Sequence, residues 1–585
     1  MRSVRAILVS TFSLTALLAL SPALSPQSAS PPQFLNARPG VTYVGDETCR
    51  ECHQSQYDSF KKTGMGRSLA LPSPAKEGAT LNPIVLAPGN LGRTYTVSLR
   101  NGKMFHSETV LGPDGKPEST ETHEVAYSVG SGDVGRSYII AKGDALFVSP
   151  ISYYSSIKRW DLSPGYDVGQ FRGFTRPAWH LCLTCHSGMP LPIRDTRNRY
   201  QVPPFRFLSI GCERCHGPGE IHVKERKANT PIRVPVDLSI VNPARLPGEL
   251  RNDVCRQCHL SGEARVLRAG KTSLDYRPGT PLNDTVSVFS VPVSAKVGET
   301  RALGHPVQMV LSRCYRESKG RLACITCHDP HIQLRGLEAA NYFRKKCLTC
   351  HKPESCLAPS AARAATSPPD NCASCHMPKL SVANISHSSL TDHRIPRNLS
   401  DPNSYLPFGP SDELIPQTKP FANPDERPDL RSLALAYYEI SQPYPQFAQK
   451  GFALLEQAVQ RYPDDAEVQG SYGQVLAIVR PEAVSDAARA LQKALDLGSK
   501  SVEFQTNLAK LRFKEGNIPA AKSLYLAAIS ADPYYSAAYF GLARLYLADG
   551  NRPAAAETLK GILDFDPGND TARAAYTEAT KNPPH

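Results

Sequence analysis

The sequence predicts a mainly α-helical chain in two parts. A loop-rich module of short helices with a small antiparallel β insertion comes first, and an α-helical repeat solenoid follows. Three observations carry that prediction. The pentapeptide Cys-x-x-Cys-His occurs seven times between Cys49 and His376. Residues from about 93 to 160 lack it and alternate apolar with polar side chains. Beyond Pro428 a pattern of Ala, Leu, Gly and Pro repeats with an offset of 34 residues.

At 585 residues, two or three domains are expected. Residues 1–30 read as a secretory signal: Arg2 and Arg5, an apolar run from Ala6 to Leu20, then small residues and Pro. That run is short for a spanning helix, which needs about 20 residues. The expected location is therefore periplasmic or otherwise extracytoplasmic.

The seven pentapeptides are Cys49-Arg-Glu-Cys52-His53, Cys182-Leu-Thr-Cys185-His186, Cys212-Glu-Arg-Cys215-His216, Cys255-Arg-Gln-Cys258-His259, Cys324-Ile-Thr-Cys327-His328, Cys347-Leu-Thr-Cys350-His351 and Cys372-Ala-Ser-Cys375-His376. With 16 Cys and 16 His in the chain, chance supplies the pattern about 0.01 times. Zinc knuckles need no His directly behind the second Cys, and a dithiol redox site would be single and set in a βαβ unit. The pattern is that of covalent haem c attachment: two thiols add to the vinyl groups and the following imidazole becomes the proximal iron ligand. Seven covalent haems consume fourteen cysteines. Cys314 and Cys356 remain, as a disulfide or as two free thiols.

The formal charge of +13 would suggest nucleic acid or anionic lipid. Seven haems bring about fourteen propionates and, when ferric, about seven positive charges, leaving roughly +6. The basic excess is thus haem-propionate compensation. No basic run with interleaved aromatics supports nucleic-acid binding, and membrane association is expected only through a partner.

Following the chain, Gln56–Arg67 reads as a short helix ending in a Gly-rich turn. Thr94–Leu99, an Asn101-Gly102 turn and Met104–His106 read as a hairpin, with further strands at Val125–Val129, Ser137–Ile140 and Ala145–Val148. From Cys182 the motifs crowd so closely that porphyrins, rather than side chains, must supply much of the buried apolar surface. Residues 265–300 read as an irregular excursion and 397–428 as a linker. In 429–580, Leu508-Ala509, Gly516-Asn517, Pro519, Ala521 and Asp532-Pro533 recur at Leu542-Ala543, Gly550-Asn551, Pro553, Ala555 and Asp566-Pro567. That is the period of tetratricopeptide helix pairs, and three or four repeats are expected.

Each iron takes a second axial ligand or keeps an open site. Setting aside His585, the histidines outside the motifs are His106, His123, His180, His222, His305, His331, His387 and His393: eight for seven irons, which fits bis-His ligation and electron relay. Met65 is the thioether candidate. For a catalytic haem, Arg136, Lys142, Tyr153 and Tyr154 are candidates for a polar pocket.

Over residues 41–396 the chain resembles multihaem c-type cytochromes of the cytochrome c-554 class, related to hydroxylamine oxidoreductase and pentahaem nitrite reductase. The matching stretches are Tyr43-Val44-Gly45-Asp46-Glu47-Thr48-Cys49 through Thr63-Gly64, Val129-Gly130-Ser131-Gly132 to Tyr138, Trp160 to Tyr166, Cys212 to Gly219, Cys324 to His331, Cys375-His376-Met377-Pro378, and Thr391-Asp392-His393-Arg394-Ile395. The resemblance implies an extracytoplasmic protein with closely stacked haem pairs, and favours His222, His305 and His393 as distal ligands. Two departures stand out: Met65 occupies a place where the family often has His, and no motif carries the Lys of the nitrite reductases' catalytic haem.

The expectation is an exported heptahaem electron-transfer cytochrome whose repeats dock a redox partner protein. The alternatives are a multihaem reductase or oxidase of a small nitrogen or sulfur compound at one five-coordinate haem, and a repeat scaffold with structural haems.

Overall fold

The protein was analysed as a computed structural model, which describes residues 34–77, 84–87, 92–166, 171–232, 235–291, 304–319, 321–381, 389–397, 413–417 and 428–581. Residues 1–30, read as a secretory signal, and His387 lie outside the described residues.

Alternating side chains build one antiparallel sheet: β1 (Leu69–Ala70), β2 (Ile84–Leu86), β3 (Arg93–Arg100), β4 (Lys103–Leu111), β5 (Pro117–Val129), β6 (Ser137–Lys142) and β7 (Ala145–Val148). The order is β2-β3-β4-β5-β6-β7, with β1 also on β5. The sheet therefore begins upstream of the expected boundary near residue 93. Asn101 (φ 51°) and Gly102 (φ 75°) close the β3–β4 hairpin with two left-handed residues, the geometry that matches strand twist. A hairpin of β8 (Ile151–Tyr154) and β9 (Arg159–Leu162) packs Ile151, Trp160 and Leu162 with Tyr95, Val97, Met104 and Tyr138 of the sheet.

Each Cys-x-x-Cys-His sits on or at the end of a short helix. These are α1 (Asp46–Phe60), α2 (His180–His186), α3 (Glu213–His216), α5 (Gly248–His259), α8 (Cys324–Cys327), α9 (Gly336–Cys347) and α11 (Cys372–His376). Between them lie α4 (Glu220–Lys227), α6 (His305–Leu311), α7 (Arg313–Glu317) and α10 (Ser360–Ala364), and the short strands β10 (Met189–Pro192) and β11 (Tyr200–Phe207). The apolar clusters here are small and separate, for example Phe34, Val241, Leu246 and Val254, or Met309, Val310 and Tyr315.

Two expectations are corrected. The excursion at 265–300 contains a regular pair, β12 (Ala264–Leu267) on β13 (Val286–Ser290). The linker 397–428 contributes, after β14 (Lys379–Ser381) and β15 (Ser389–Thr391), a strand β16 (Ile415–Pro416) that extends that pair, and Leu414 enters the repeat core. In β13 burial on both faces erases the alternation by which a strand is read.

The C-terminal part is a helical tetratricopeptide solenoid. It runs α12 (Leu430–Ser441), α13 (Ala448–Arg461), α14 (Ala466–Val479), α15 (Val484–Asp496), α16 (Val502–Lys514), α17 (Ile518–Ala531), α18 (Ser536–Ala548), α19 (Arg552–Phe565) and α20 (Asp570–Thr580). The 34-residue echo has a structural cause. Gly516 (φ 78°) and Gly550 (φ 73°) end one helix in the left-handed region, and Asn517 and Asn551 cap the next by accepting from Ala520 N and Ala554 N. Pro519 and Pro553 occupy the first turn, where an N–H is spare anyway. Leu435, Tyr437, Leu455, Leu476, Leu491 and Leu508 form one continuous core along the first repeats.

The solenoid is not a free arm. At one end Arg431 donates to Leu267 O (2.7 Å), tying α12 to β12. At the other, Arg93 donates to Glu108 (2.8 Å) and Gly568 O (2.8 Å), Lys142 to Phe565 O (2.7 Å), and Arg199 to Ala531 O (2.7 Å). Tyr534 returns a hydrogen bond to Lys142 O (3.0 Å).

Candidate functional site

Polar side chains inside and beside the pentapeptides lock the motifs together. Gly45 (φ 88°) lets the chain turn into α1, and the N–H groups of Val44, Gly45 and Gly219 all donate to the buried Glu213 carboxylate (2.9, 2.8 and 2.7 Å). Asp46 accepts from Cys212 N (2.9 Å). Cys49 is thereby set against Cys212. Arg214 donates to Thr184 O (3.0 Å) and Gln257 to Arg214 O (2.9 Å), so that Cys185 meets Cys258. Asn252 accepts from Cys324 N (3.3 Å), beside the Cys255–Cys324 contact. Cys347 neighbours Cys372. Glu213, Asp46, Gln257 and Asn252 were not singled out from the sequence; Glu213 and Gln257 occupy the variable positions of their motifs, which carry no signature of their own.

All sixteen cysteines are unbridged. Cys314 lies beside Cys327 and Cys350. Among the described residues no group of three or more His, Cys, Asp or Glu converges as a metal-ion site. Within each motif two thiols are followed directly by one imidazole, a donor set that haem c attachment would use.

Three motif histidines face a histidine from elsewhere in the chain. Ring centroids are 6.2 Å apart for His216 and His331, 6.3 Å for His259 and His305, and 6.1 Å for His328 and His393. Two imidazoles bound to one metal from opposite sides, each at about 2.0 Å, put their centroids about 6 Å apart. His222 neighbours His53.

The ring nitrogens sort the candidates further. A metal-bound imidazole holds one nitrogen on the metal and donates the other N–H to an acceptor. Nδ1 is held in this way in His216 by Val241 O (2.8 Å), in His376 by Pro396 O (2.9 Å), in His393 by Thr391 O (2.9 Å), in His331 by Asp329 (3.0 Å), and in His222 by Ser239 Oγ (3.1 Å) with Asp237 at 3.2 Å. Nε2 of each is left for a metal.

Three of the distal-ligand candidates make other contacts in the structure. His123 spends Nε2 on Glu121 (2.5 Å) at the junction with the solenoid, and His180 spends Nε2 on Arg199 O (3.2 Å) while packing on Tyr200. His106 is fully buried between Tyr138 and Trp160 and gives Nδ1 to Ser149 (2.7 Å). Desolvation lowers its pKa to about 3. Met65 is half-buried in the turn after α1, where its carbonyl accepts from Ser68 N. The polar pocket is also corrected. Arg136 and Tyr153 are bridged backbone to backbone, Lys142 is engaged at the solenoid junction, and Tyr154 donates to Leu162 O in the sheet core.

The surroundings of the motif rings fit a flat, bulky group. Desolvation by the surrounding protein lowers the pKa values of His186 and His328. Beside His331, an open cleft of 570 Å³ is lined by Ser59, Lys61, Lys62, Arg67, Gln333 and Arg335, a setting suited to carboxylates such as propionates.

Among the described residues, no second histidine ring lies against His186, His351 or His376.

Tetratricopeptide-repeat family models match residues 484–536 and 512–579. Solved structures similar to this chain include MamA, at 20% identity over 24% of this chain and 81% of that one, with a TM-score of 0.22. YrrB, described as a TPR protein with an unusual peptide-binding site, matches at 25% identity over 25% and 76%, with a TM-score of 0.22. TTC0263, a thermophilic TPR protein in Thermus thermophilus, matches at 16% identity over 27% and 82%, with a TM-score of 0.23. The repeats give the C-terminal part the character of a protein-interaction or scaffold module.

Proposed function

We propose that the chain is an exported heptahaem c-type cytochrome that relays electrons, braced by a repeat solenoid that engages a protein partner. The observation that carries the reading is the opposition of His216, His259 and His328 to His331, His305 and His393 at 6.1–6.3 Å. Haem bound there supplies a one-electron ferric/ferrous couple. The protein's part would be to attach it through the paired thiols, to fix His216, His331 and His393 by their Nδ1 acceptors, and to saturate the metal so that no substrate enters.

The test is expression in a host competent for haem c maturation, followed by intact mass and pyridine haemochrome analysis. Seven increments of about 616 Da are expected; material without them, at full expression, would refute the reading.

A second reading, a reductase or oxidase at one haem, is favoured by His186, against which no second histidine ring lies among the described residues. A high-spin signal that titrates with cyanide or nitrite would support it.

A further inference from the structure

The positive charge of the chain is concentrated. Residues 313–352 contain nine Arg and Lys against three Asp and Glu, an excess of six within a chain whose total is +13. The segment carries the fifth and sixth motifs. Arg316, Lys319, Arg321, Lys345 and Lys352 are exposed, and none forms an ion pair among the described residues, whereas Arg313 and Arg344 are answered by Glu317 and Asp370.

These cations are not scattered along an extended chain. Tyr315 of α7 packs with Leu322 and with Cys324 of the fifth motif, and His328 of that motif packs edge-on against Phe343 of α9, the helix that ends in the sixth motif, so α7 and the two motifs meet at one place. The same place is open: Cys350, His351 and every residue from 352 to 362 are exposed. The third and fourth motifs are instead held by buried side chains such as Glu213, Asn252 and Gln257. Propionates of the sixth group could neutralise about two of these charges, which leaves the field clearly positive.

We propose that the surface around Cys350–Lys352 is the electron-exchange port, and that it docks an acidic redox protein. The proposal rests on the heptahaem reading. Charge complementarity raises the encounter rate and orients the partner toward the exposed motif, while the absence of buried anchors keeps the complex short-lived enough for turnover. The solenoid then engages a different protein or a structural neighbour, and is not required for electron exchange.

The experiment uses the full-length, haem-loaded protein and reduced flavodoxin, an acidic one-electron donor, as the probe. Stopped-flow reduction is followed from low to high ionic strength in the wild type and in an Arg316→Glu, Lys319→Glu, Lys345→Glu variant, all at exposed positions. The wild-type rate should fall as salt rises, and the variant should be about tenfold slower at low salt with little salt dependence. Hexaammineruthenium(II), a small cationic donor, should reduce the variant at least as fast as the wild type. A variant matching the wild type with flavodoxin, or slowed equally with both donors, would overturn the port. So would an unchanged flavodoxin rate with loss of binding to phosphatidylglycerol vesicles, which would assign the patch to anionic lipid. Mass and pyridine haemochrome of both proteins separate these results from failure of the haem reading itself.

Discussion

His331 stands opposite His216 with ring centroids 6.2 Å apart, its Nδ1 held by Asp329 while that of His216 is held by Val241 O. Each imidazole is thus oriented by a separate acceptor, which leaves its Nε2 available. Replacing His331 by Ala should turn one haem from low spin to high spin, about one-seventh of the Soret intensity, and raise its potential. Electron paramagnetic resonance and a redox titration check both; an unchanged low-spin spectrum would remove His331 from the ligand set.

His123→Gln and His180→Gln should leave the spin state of every haem untouched, because Nε2 of each is already bonded to Glu121 or to Arg199 O. Their effect should be on stability, about 1 kcal/mol for a lost hydrogen bond. Electronic spectra and a denaturant midpoint separate the two outcomes.

Carbon monoxide added to the reduced protein should bind at the second motif in preference to the third, fourth and fifth. His216, His259 and His328 have opposing imidazoles, and His186 has none among the described residues. Substitution of His186 by Met should shift the carbonyl spectrum if this is right, and leave it unchanged if the ligand binds elsewhere.

Asp566, buried in the loop before α20, has its carboxyl raised to about 6 chiefly by desolvation, with Glu121 and Glu108 adding to the shift and Asn569 and Lys142 opposing it. The native state holds the proton more tightly than the unfolded chain. That contribution is complete below about pH 4 and disappears as pH rises through 6. Asp566→Asn should therefore stabilise the solenoid junction by roughly 2–3 kcal/mol above pH 7 and have little effect near pH 4. Thermal unfolding across that range is the measurement.

Arg93 and Glu108 are both buried at the junction. Arg93→Met strands the Glu108 charge and should cost about 3–5 kcal/mol, whereas Arg93→Met with Glu108→Gln should cost much less. Limited proteolysis of the last repeats against the rest of the chain reads the difference. Equal damage in both variants would show that the Gly568 hydrogen bond, rather than the buried pair, holds the junction.

The parts of the structure governed by local chemistry were legible in the sequence. Asn101-Gly102 announced a hairpin because two left-handed residues suit its twist. Gly516-Asn517 and Gly550-Asn551 announced helix boundaries because each pair ends one helix and caps the next. The Cys-x-x-Cys-His copies stood out by their spacing, and the structure sets each on or at the end of a helix. The surroundings of the other histidines were not legible in the same way. His123, His180 and His331 look alike as letters, and what separates them is the acceptor each ring nitrogen finds: Glu121 or Arg199 O at Nε2, or Asp329 at Nδ1. Residues 286–290 were missed as a strand because all five are buried, which leaves no alternation.

The solenoid draws its core from Leu, Ala and Tyr side chains and needs no prosthetic group to fold, while the segment before it has only small apolar clusters of its own. The two parts are therefore unequal as folding units. The solenoid can become rigid on its own side chains, and through Arg431 and Arg93 it offers the segment before it two fixed points against which to be assembled.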